Sequence, residues 1–370
     1  MDTTKEKILR LFIYLSGIIC LYAFIAIRTL PLFNAILKEN MKPGYWDKTK
    51  YGELYYFNFI RYFKEKGLPP AAEKFQDLNE HASLDNAEMI VFGDSFFDFS
   101  RHEQFPERLA DTLNVKVHFH HGDYPLAVFA QSNYQNREPK ILLYERVERY
   151  IPMVFEKENT ADYEVDSRTE FRKTIGNIKD KIFYQRSEEL FDALLKRSIF
   201  TTDIYSLIAT LKFDLFNYIS PLTPVYSPGK KEPWVFYHDQ TNGEKTSFYY
   251  QHSENEMDDY CDHMADLADK LKEQYNIRLI YLPLPAKYTL YHGFVNDDKY
   301  NHFLPKLYEG LRKRGIEFIE VYEDFKNSDE ILFYRTDSHW NEKGIQMAFN
   351  KTLEYFKNDS ILRKYFKSSL

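Results

Sequence analysis

Two short stretches of this 370-residue chain carry residue types suited to nucleophilic chemistry. Gly93-Asp94-Ser95 closes the apolar run Met89-Ile90-Val91-Phe92. Near the other end of the chain stands Asp337-Ser338-His339-Trp340. A serine hydroxyl is a weak nucleophile until a base takes its proton. Histidine does so near neutral pH, and a carboxylate holds the imidazole in the right tautomer. Asp337 and His339 flank one residue, and in an extended loop such a pair shares a side. The expected roles are Ser95 as nucleophile, His339 as general base and then acid, and Asp337 as its orienting group. Each stretch also has a plainer explanation: Ser95 as a helix N-cap, and Asp337 with His339 as polar loop groups capping the last helix.

Acyl chemistry at Ser95 needs donors for an oxyanion. The Ser95 N–H is the first candidate. Gly122, in His120-His121-Gly122-Asp123-Tyr124, offers a second backbone donor, and Gln131 or Asn133 a side-chain donor. Those two are equally well read as an ordinary solvated helix face. Lys287, in Pro283-Leu284-Pro285-Ala286-Lys287, is a candidate contact for an anionic or hydroxyl-rich substrate, or a plain surface lysine. Trp340 is a second candidate substrate contact, or a residue that packs the loop in place. His118 and His120 share a strand face, but no third ligand follows at metal spacing, so packing histidines are expected and no metal. Nothing in the chain calls for a cofactor. Glu145, Glu148 and Arg149 read as a structural ion-pair group at a strand end.

Elements that place these residues follow from hydrophobic patterning. Strands are expected over 87–92, 115–120, 141–144, 277–282 and 316–321, and helices over 103–113, 126–134, 256–275, 300–314 and 342–356. Strand and helix alternate and the strands are continuous apolar runs, which argues for an α/β fold with a five-stranded parallel sheet covered on both faces. Sites in such sheets form at the carboxyl ends of the strands. Ser95 follows the first strand and Asp337-x-His339 the fifth, so both fall on one edge. The stretch 151–250 interrupts the alternation, with a helical pattern over 177–213 and prolines at 221, 224, 228 and 233. It reads as a helical and loop insertion that caps the cleft or meets a partner, or as a structural excursion.

Hydrophobic residues make up 44% and aromatics 17%, enough for a large core, and the net charge is −7. With no basic tract and no zinc-finger spacing, nucleic acid is not an expected partner. Cys20 and Cys261 are the two cysteines, and they form no disulfide framework. Leu11 to Ile27, between Arg10 and Arg28, is long enough to cross a bilayer with its arginines snorkelling. No small-residue cleavage site follows promptly. A transmembrane anchor is therefore expected over 8–28, rather than a cleaved signal or a buried helix. Lys5, Lys7 and Arg10 precede it, favouring a cytoplasmic N-terminus and an extracytoplasmic remainder. Residues 29–85, with a possible amphipathic helix over 51–66, read as a juxtamembrane region.

Gly93-Asp94-Ser95 with the late Asp and His resembles the blocks of the SGNH hydrolase superfamily. Tyr334-Arg335-Thr336-Asp337-Ser338-His339-Trp340-Asn341 is similar to the Thr-Asp-x-His-Trp block of alginate O-acetyltransferase, AlgX/AlgJ-type, proteins. Tyr144-Glu145-Arg146-Val147-Glu148-Arg149-Tyr150 resembles a Glu-x-x-Glu-Arg-Tyr stretch of the same group. Those proteins carry the Asp-His block before the serine. Serine first, with one N-terminal anchor, looks more like the DltD proteins of teichoic-acid D-alanylation. Over 86–357 the resemblance implies a flavodoxin-like, three-layer α/β/α SGNH domain. It also implies extracytoplasmic acyl transfer to a polysaccharide, beside a membrane-bound O-acyltransferase (MBOAT-type) partner. A non-catalytic scaffold for such an acyltransferase, or D-alanyl transfer, is the alternative.

Overall fold

The computed structural model describes residues 4–37, 57, 59–63, 82–97, 104–132, 134, 138–153, 202–216, 218, 225–226, 234–295, 300–359 and 362. The helices are α1 (Thr4–Leu37), α2 (Phe105–Leu113), α3 (Pro125–Gln131), α4 (Thr202–Phe216), α5 (Glu254–Tyr275), α6 (Lys287–Tyr291), α7 (Phe303–Lys313), α8 (Tyr322–Lys326) and α9 (Glu342–Asn358). The strands are β1 (Met89–Gly93), β2 (Val117–His121), β3 (Lys140–Val147), β4 (Val225–Tyr226), β5 (Trp234–Val235) and β6 (Ile277–Leu284). The chain divides into two units, one of Met1–Gly52, Phe59–Arg61 and Asp162–Tyr218, the other of the remaining residues.

In the second unit four strands pair in parallel in the order β2-β1-β3-β6. Residues alternate between the two faces, as the period of a strand requires. Ile90, Phe92, Leu142 and Tyr144 join one core with Met264, Leu267 and Leu271 of α5 and Leu307 and Leu311 of α7. Met89, Val91, Ile141 and Leu143 join the other with Leu109 and Leu113 of α2 and Ile345 and Phe349 of α9. Helices therefore cover both faces, giving three layers. The expected fifth strand over 316–321 is corrected to one rung: Phe318 bridges Tyr281 in parallel, with the Tyr281 N–H donating to Glu317 O at 2.9 Å and the Ile319 N–H to Tyr281 O at 2.8 Å. The segment occupies the fifth position, and α8 begins at Tyr322, four residues after the bridge.

Helix ends follow local chemistry. Ser253 caps α5, accepting from the Glu256 N–H while Glu256 reaches back to the Ser253 N–H. Asn114 and Asn276 end α2 and α5 in the left-handed region at φ 51° and 56°, and Gly315 follows α7 at φ 68°. Helix α3 stops at Gln131 rather than 134. The end of the expected juxtamembrane stretch packs into this unit: Ala82 and Leu84 are in the core, and Lys140 donates to the carbonyls of Leu84 and Asp85. So does the end of the expected insertion, where Trp234, Val235 and Phe236 are buried.

In the first unit, α4 carries the described part of the helix expected over 177–213. Ser206 donates to Phe59 O at 2.7 Å, and the Arg61 N–H to Thr210 Oγ1 at 3.1 Å. Of the helix expected over 51–66, the described residues 57 and 59–63 form turns. Helix α1 is continuous over 34 residues. Leu11, Phe12, Ile13, Tyr14 and Leu15, which point in every direction around it, are 50–70% exposed. Among the described residues no helix is long and apolar enough to cross a membrane, so the crossing expected over 8–28 stays a proposal.

His252 lies just before α5 among the rings of Tyr250, Tyr260 and Phe303, at centroid distances of 4.7, 5.7 and 4.8 Å. Burial lowers its pKa from 6.5 to about 4; Glu256 opposes this, and Lys245 and Lys306 add to it. The folded state thus holds a neutral ring while the unfolded chain protonates, and stability falls as pH drops from about 6.5 to 4. His252→Phe is expected to remove on the order of 2 kcal/mol of that acid-side loss. Denaturation curves at pH 7 and pH 4.5 for both proteins measure it, and equal losses in the two would refute the assignment.

Candidate active site

Strand β1 is buried end to end and delivers Gly93 to the carboxyl edge of the sheet. There the chain turns at once. Asp94 donates its N–H to Glu145 Oε2 at 3.0 Å, its Oδ1 accepts the Phe96 N–H at 2.8 Å, and its carbonyl accepts the Phe97 N–H at 3.0 Å. Gly93 permits this approach, since a Cβ there would meet Glu145 Oε2 at 2.8 Å and the Phe97 ring at 2.9 Å. The turn leaves Ser95 half-buried, and its N–H meets no acceptor among the described residues.

The partner loop comes from residues 332–341. Phe333 bridges Trp340 antiparallel, the Tyr334 N–H donates to His339 O at 3.2 Å, and the Asn341 N–H to Leu332 O at 2.8 Å. Asn341 caps α9, accepting from the N–H groups of Lys343 and Gly344. Gly344 fits because a Cβ would run into the Leu332 carbonyl and lie 2.8 Å from Trp340 Cβ. Within the loop, Asp337 Oδ1 accepts the His339 N–H at 2.9 Å and lies 2.5 Å from His339 Nδ1. On the other side of the ring, His339 Nε2 is 2.8 Å from Ser95 Oγ, across 244 positions of sequence. Asp337 is fully buried and His339 is 4% exposed. The structure therefore brings Ser95, His339 and Asp337 into one hydrogen-bonded row.

The remaining sequence candidates fall elsewhere. Gly122 is corrected: its N–H continues the β1–β2 pairing by donating to Gly93 O at 3.2 Å, so it is already committed. Gln131 is exposed at the end of α3. That end lies toward the amino edge of the sheet, because Phe129 packs 5.1 Å from Tyr275, which directly precedes β6. Gln131 is thus corrected as an oxyanion donor. Asn133 lies outside the described residues. Trp340 is corrected as a substrate contact: it is fully buried, donates through Nε1 to Phe96 O at 3.0 Å, and stacks near Phe97 and Phe105 at 6.4 and 6.1 Å. It pins the base loop to the serine turn.

Lys287 is also corrected. It is fully buried, and its ammonium donates to the carbonyls of Val235 (2.7 Å), Arg335 (2.6 Å) and Asp337 (3.0 Å). A lysine carries three donors, and here all three hold backbone. The Trp234 and Phe236 rings lie 5.5 and 5.4 Å from it. The histidines of β2 serve packing. His118 Nδ1 lies 3.0 Å from Ala82 O, His120 sits 4.8 Å from the Phe92 ring, and burial lowers the pKa of both. Among the described residues no group of three His, Cys, Asp or Glu is placed to hold a metal ion.

Beneath the row lies a charged layer that the ion-pair reading of Glu145, Glu148 and Arg149 understated. Arg146 donates to the Gly122 carbonyl, pairs with Asp123, and has Asp94 at 4.0 Å. Burial works against its charge, but Tyr144 and the carboxylates of Asp123, Asp94 and Glu145 outweigh that and hold it above its ordinary pKa. Glu148 accepts from Ala286 N–H (3.0 Å), Thr289 Oγ1 (2.5 Å) and Tyr300 Oη (2.6 Å). Burial pushes its carboxyl up despite these bonds. Arg149 donates from Nη2 to Ser338 Oγ at 3.2 Å. The available signal was four charges within five residues, Glu145 and Arg146 in the buried end of β3 and Glu148 and Arg149 just past it.

Residues 228–365 match the family described as SGNH hydrolase-like domain, acetyltransferase AlgX. The match contains Lys287, Asp337 and His339 and stops short of Ser95. No curated protein and no solved structure matches the chain.

Lys287→Met is expected to remove the ammonium from three carbonyls, of which that of Arg335 keeps the Val235 N–H, and to cost on the order of 3 kcal/mol. Chemical denaturation of the full chain checks this. A change under about 1 kcal/mol would show that the ammonium does not hold the loop.

Proposed function

We propose that this chain, whose residues 228–365 match the SGNH hydrolase-like domain of acetyltransferase AlgX, is a membrane-anchored serine acyltransferase or acyl esterase. Its proposed substrate is an exported polysaccharide. The observation that carries the reading is the row itself, with Ser95 Oγ 2.8 Å from His339 Nε2 and Asp337 Oδ1 2.5 Å from His339 Nδ1. A scaffold without chemistry would have no need of that geometry, and it would tolerate Ser95 and His339 beyond reach of each other.

The step follows from the groups present. His339 Nε2 takes the Ser95 proton as Oγ attacks the acyl carbonyl. Asp337 holds the Nδ1 proton and stabilises the imidazolium that forms. The Ser95 N–H faces the oxyanion. Collapse expels the donor's alcohol, which His339 protonates, and leaves an acyl ester on Ser95. A sugar hydroxyl, deprotonated by His339, then attacks that ester in transfer; water does so in hydrolysis. The family description supports an acetyl group as the cargo. No cofactor enters the scheme.

The anchor is proposed from α1. A helix apolar around its whole circumference needs apolar surroundings, and its described side chains are exposed on all sides. At about 1.5 Å per residue, the apolar stretch from Leu11 to Ile27 comes close to the hydrocarbon thickness of a bilayer, and Arg10 and Arg28 at its ends can snorkel. Lys5, Lys7 and Arg10 favour a cytoplasmic start and an extracytoplasmic site. An MBOAT-type acyltransferase that exports the acyl group is the proposed partner, on the resemblance of the motifs.

The test uses the full chain in mild detergent with p-nitrophenyl acetate, followed by intact mass and peptide mapping. An acetyl adduct on Ser95 is expected in the wild type and none in Ser95→Ala, which should fold normally. Asp337→Asn is expected to slow release by roughly 10³-fold or more. Undiminished release from Ser95→Ala would overturn the reading. Added oligosaccharide acceptors then separate transfer from hydrolysis.

A further inference from the structure

Ser95 and the Asp337-x-His339 loop reach the site from distant parts of the chain, and each is anchored separately. The serine turn is held by β3, through Glu145 on the Asp94 N–H and Asp94 Oδ2 accepting the Val147 N–H at 3.5 Å. The base loop is held by Lys287. Those bonds set each half but not the gap between them. Trp340 crosses it with one bond to Phe96 O. Arg149 is a charged side chain that reaches both halves.

Arg149 follows the end of β3 and is 3% exposed. Its Nη2 donates to the Oγ of Ser338, the residue between Asp337 and His339, itself 1% exposed. Its guanidinium lies 5.9 Å from the ring of Phe96, the residue after Ser95. Phe96 in turn sits 5.0 Å from the His339 ring. Tyr150 and Tyr237 face the same guanidinium at 4.7 and 5.7 Å. A planar cation among three rings has little freedom to tilt, so its N–H bond to Ser338 is directional.

We propose that Arg149 is a positioning residue that sets the distance between Ser95 and His339, by gripping Ser338 on one side and Phe96 on the other. The inference rests on reading Ser95, His339 and Asp337 as a catalytic triad. Arg149 touches no reacting atom. Its guanidinium is bonded to the residue next to His339 and is opposite in sign to Asp337, so removing that charge is expected to make the ring easier to protonate. Lysine offers the charge without the flat face, and methionine offers bulk without either.

The experiment measures Ser95 acetylation and steady-state release of p-nitrophenol by the full chain in detergent. The variants are Arg149→Met, Arg149→Lys, Ser338→Ala and the double variant Arg149→Met/Ser338→Ala. Arg149→Met is expected to slow acetylation by roughly 30- to 100-fold with KM within about threefold, because the loss lies in alignment. Ser338→Ala is expected to slow it by about tenfold, the size of one charge-assisted hydrogen bond. The double variant should be no slower than Arg149→Met, since both break one link. The acid limb of the pH–rate profile should move upward in Arg149→Met and stay in place in Arg149→Lys, which keeps the charge but recovers little of the rate.

Rates within twofold of wild type in both single variants would overturn the proposal. So would losses that multiply in the double variant, or an unmoved acid limb in Arg149→Met, which would mark a merely structural role. If Arg149→Met does not fold, Ser338→Ala decides, and an unchanged rate there refutes the link. If the wild type forms no adduct on Ser95, the triad reading falls first and this inference with it.

Discussion

One carboxylate oxygen shapes the base of this site. Asp337 Oδ1 accepts from the backbone of His339 and from its ring at once. The first bond folds three residues into a tight bend. The second fixes which nitrogen of the ring is left to face Ser95. A carboxylate pays heavily for leaving water unless its lone pairs are used, and Asp337 is fully buried. The surroundings answer that cost. Lys287 places an ammonium on the Asp337 carbonyl, and Arg149 places a guanidinium on the next side chain. Remove the fixed charge of Asp337, and the cations packed beneath the loop have no counterpart there.

The same logic runs down into the sheet. Two hydrophobic cores bring β1, β3 and β6 to a common edge, and the charged residues sit where those strands end. Glu145 takes the Asp94 N–H, Arg146 ties the end of β2 to Asp123, and Glu148 binds the start of α6 through Ala286 and Thr289. Each of these charged groups holds backbone or a partner on a neighbouring element. These bonds brace the edge from several elements at once, the kind of support that a pre-organised site needs.

Much of this was legible in the chain. Apolar runs of four to six residues between helical patterns pointed to four of the strands, and Gly93-Asp94-Ser95, just past the first, with Asp337-x-His339, in the loop that follows the fifth position, pointed to the row. Lys287 was not legible as a clamp. A lysine beyond a strand end is indistinguishable from a surface residue until Val235, Arg335 and Asp337 converge on it from three segments. Gly122 misled for a related reason: whether a backbone N–H is free depends on strand register, which pairing with Gly93 settles. The expected fifth strand goes one step too far: its apolar pattern marks the right position beside β6, but a pattern alone does not say how many rungs will pair, and one does.

The loop at 332–341 is closed on itself, by the Phe333–Trp340 bridge and by the Asn341 N–H on Leu332 O. The serine turn closes around Asp94 and is tied to β3 beside it. Each half is a cassette mounted on the rim of the sheet, and nothing in their meeting depends on which is synthesised first. The alginate proteins that these motifs resemble carry the two blocks in the reverse order. A cassette construction makes such a permutation nearly free: cutting the chain in a surface connection and rejoining its ends reorders the blocks while the rim, and the row of hydrogen bonds across it, is rebuilt unchanged.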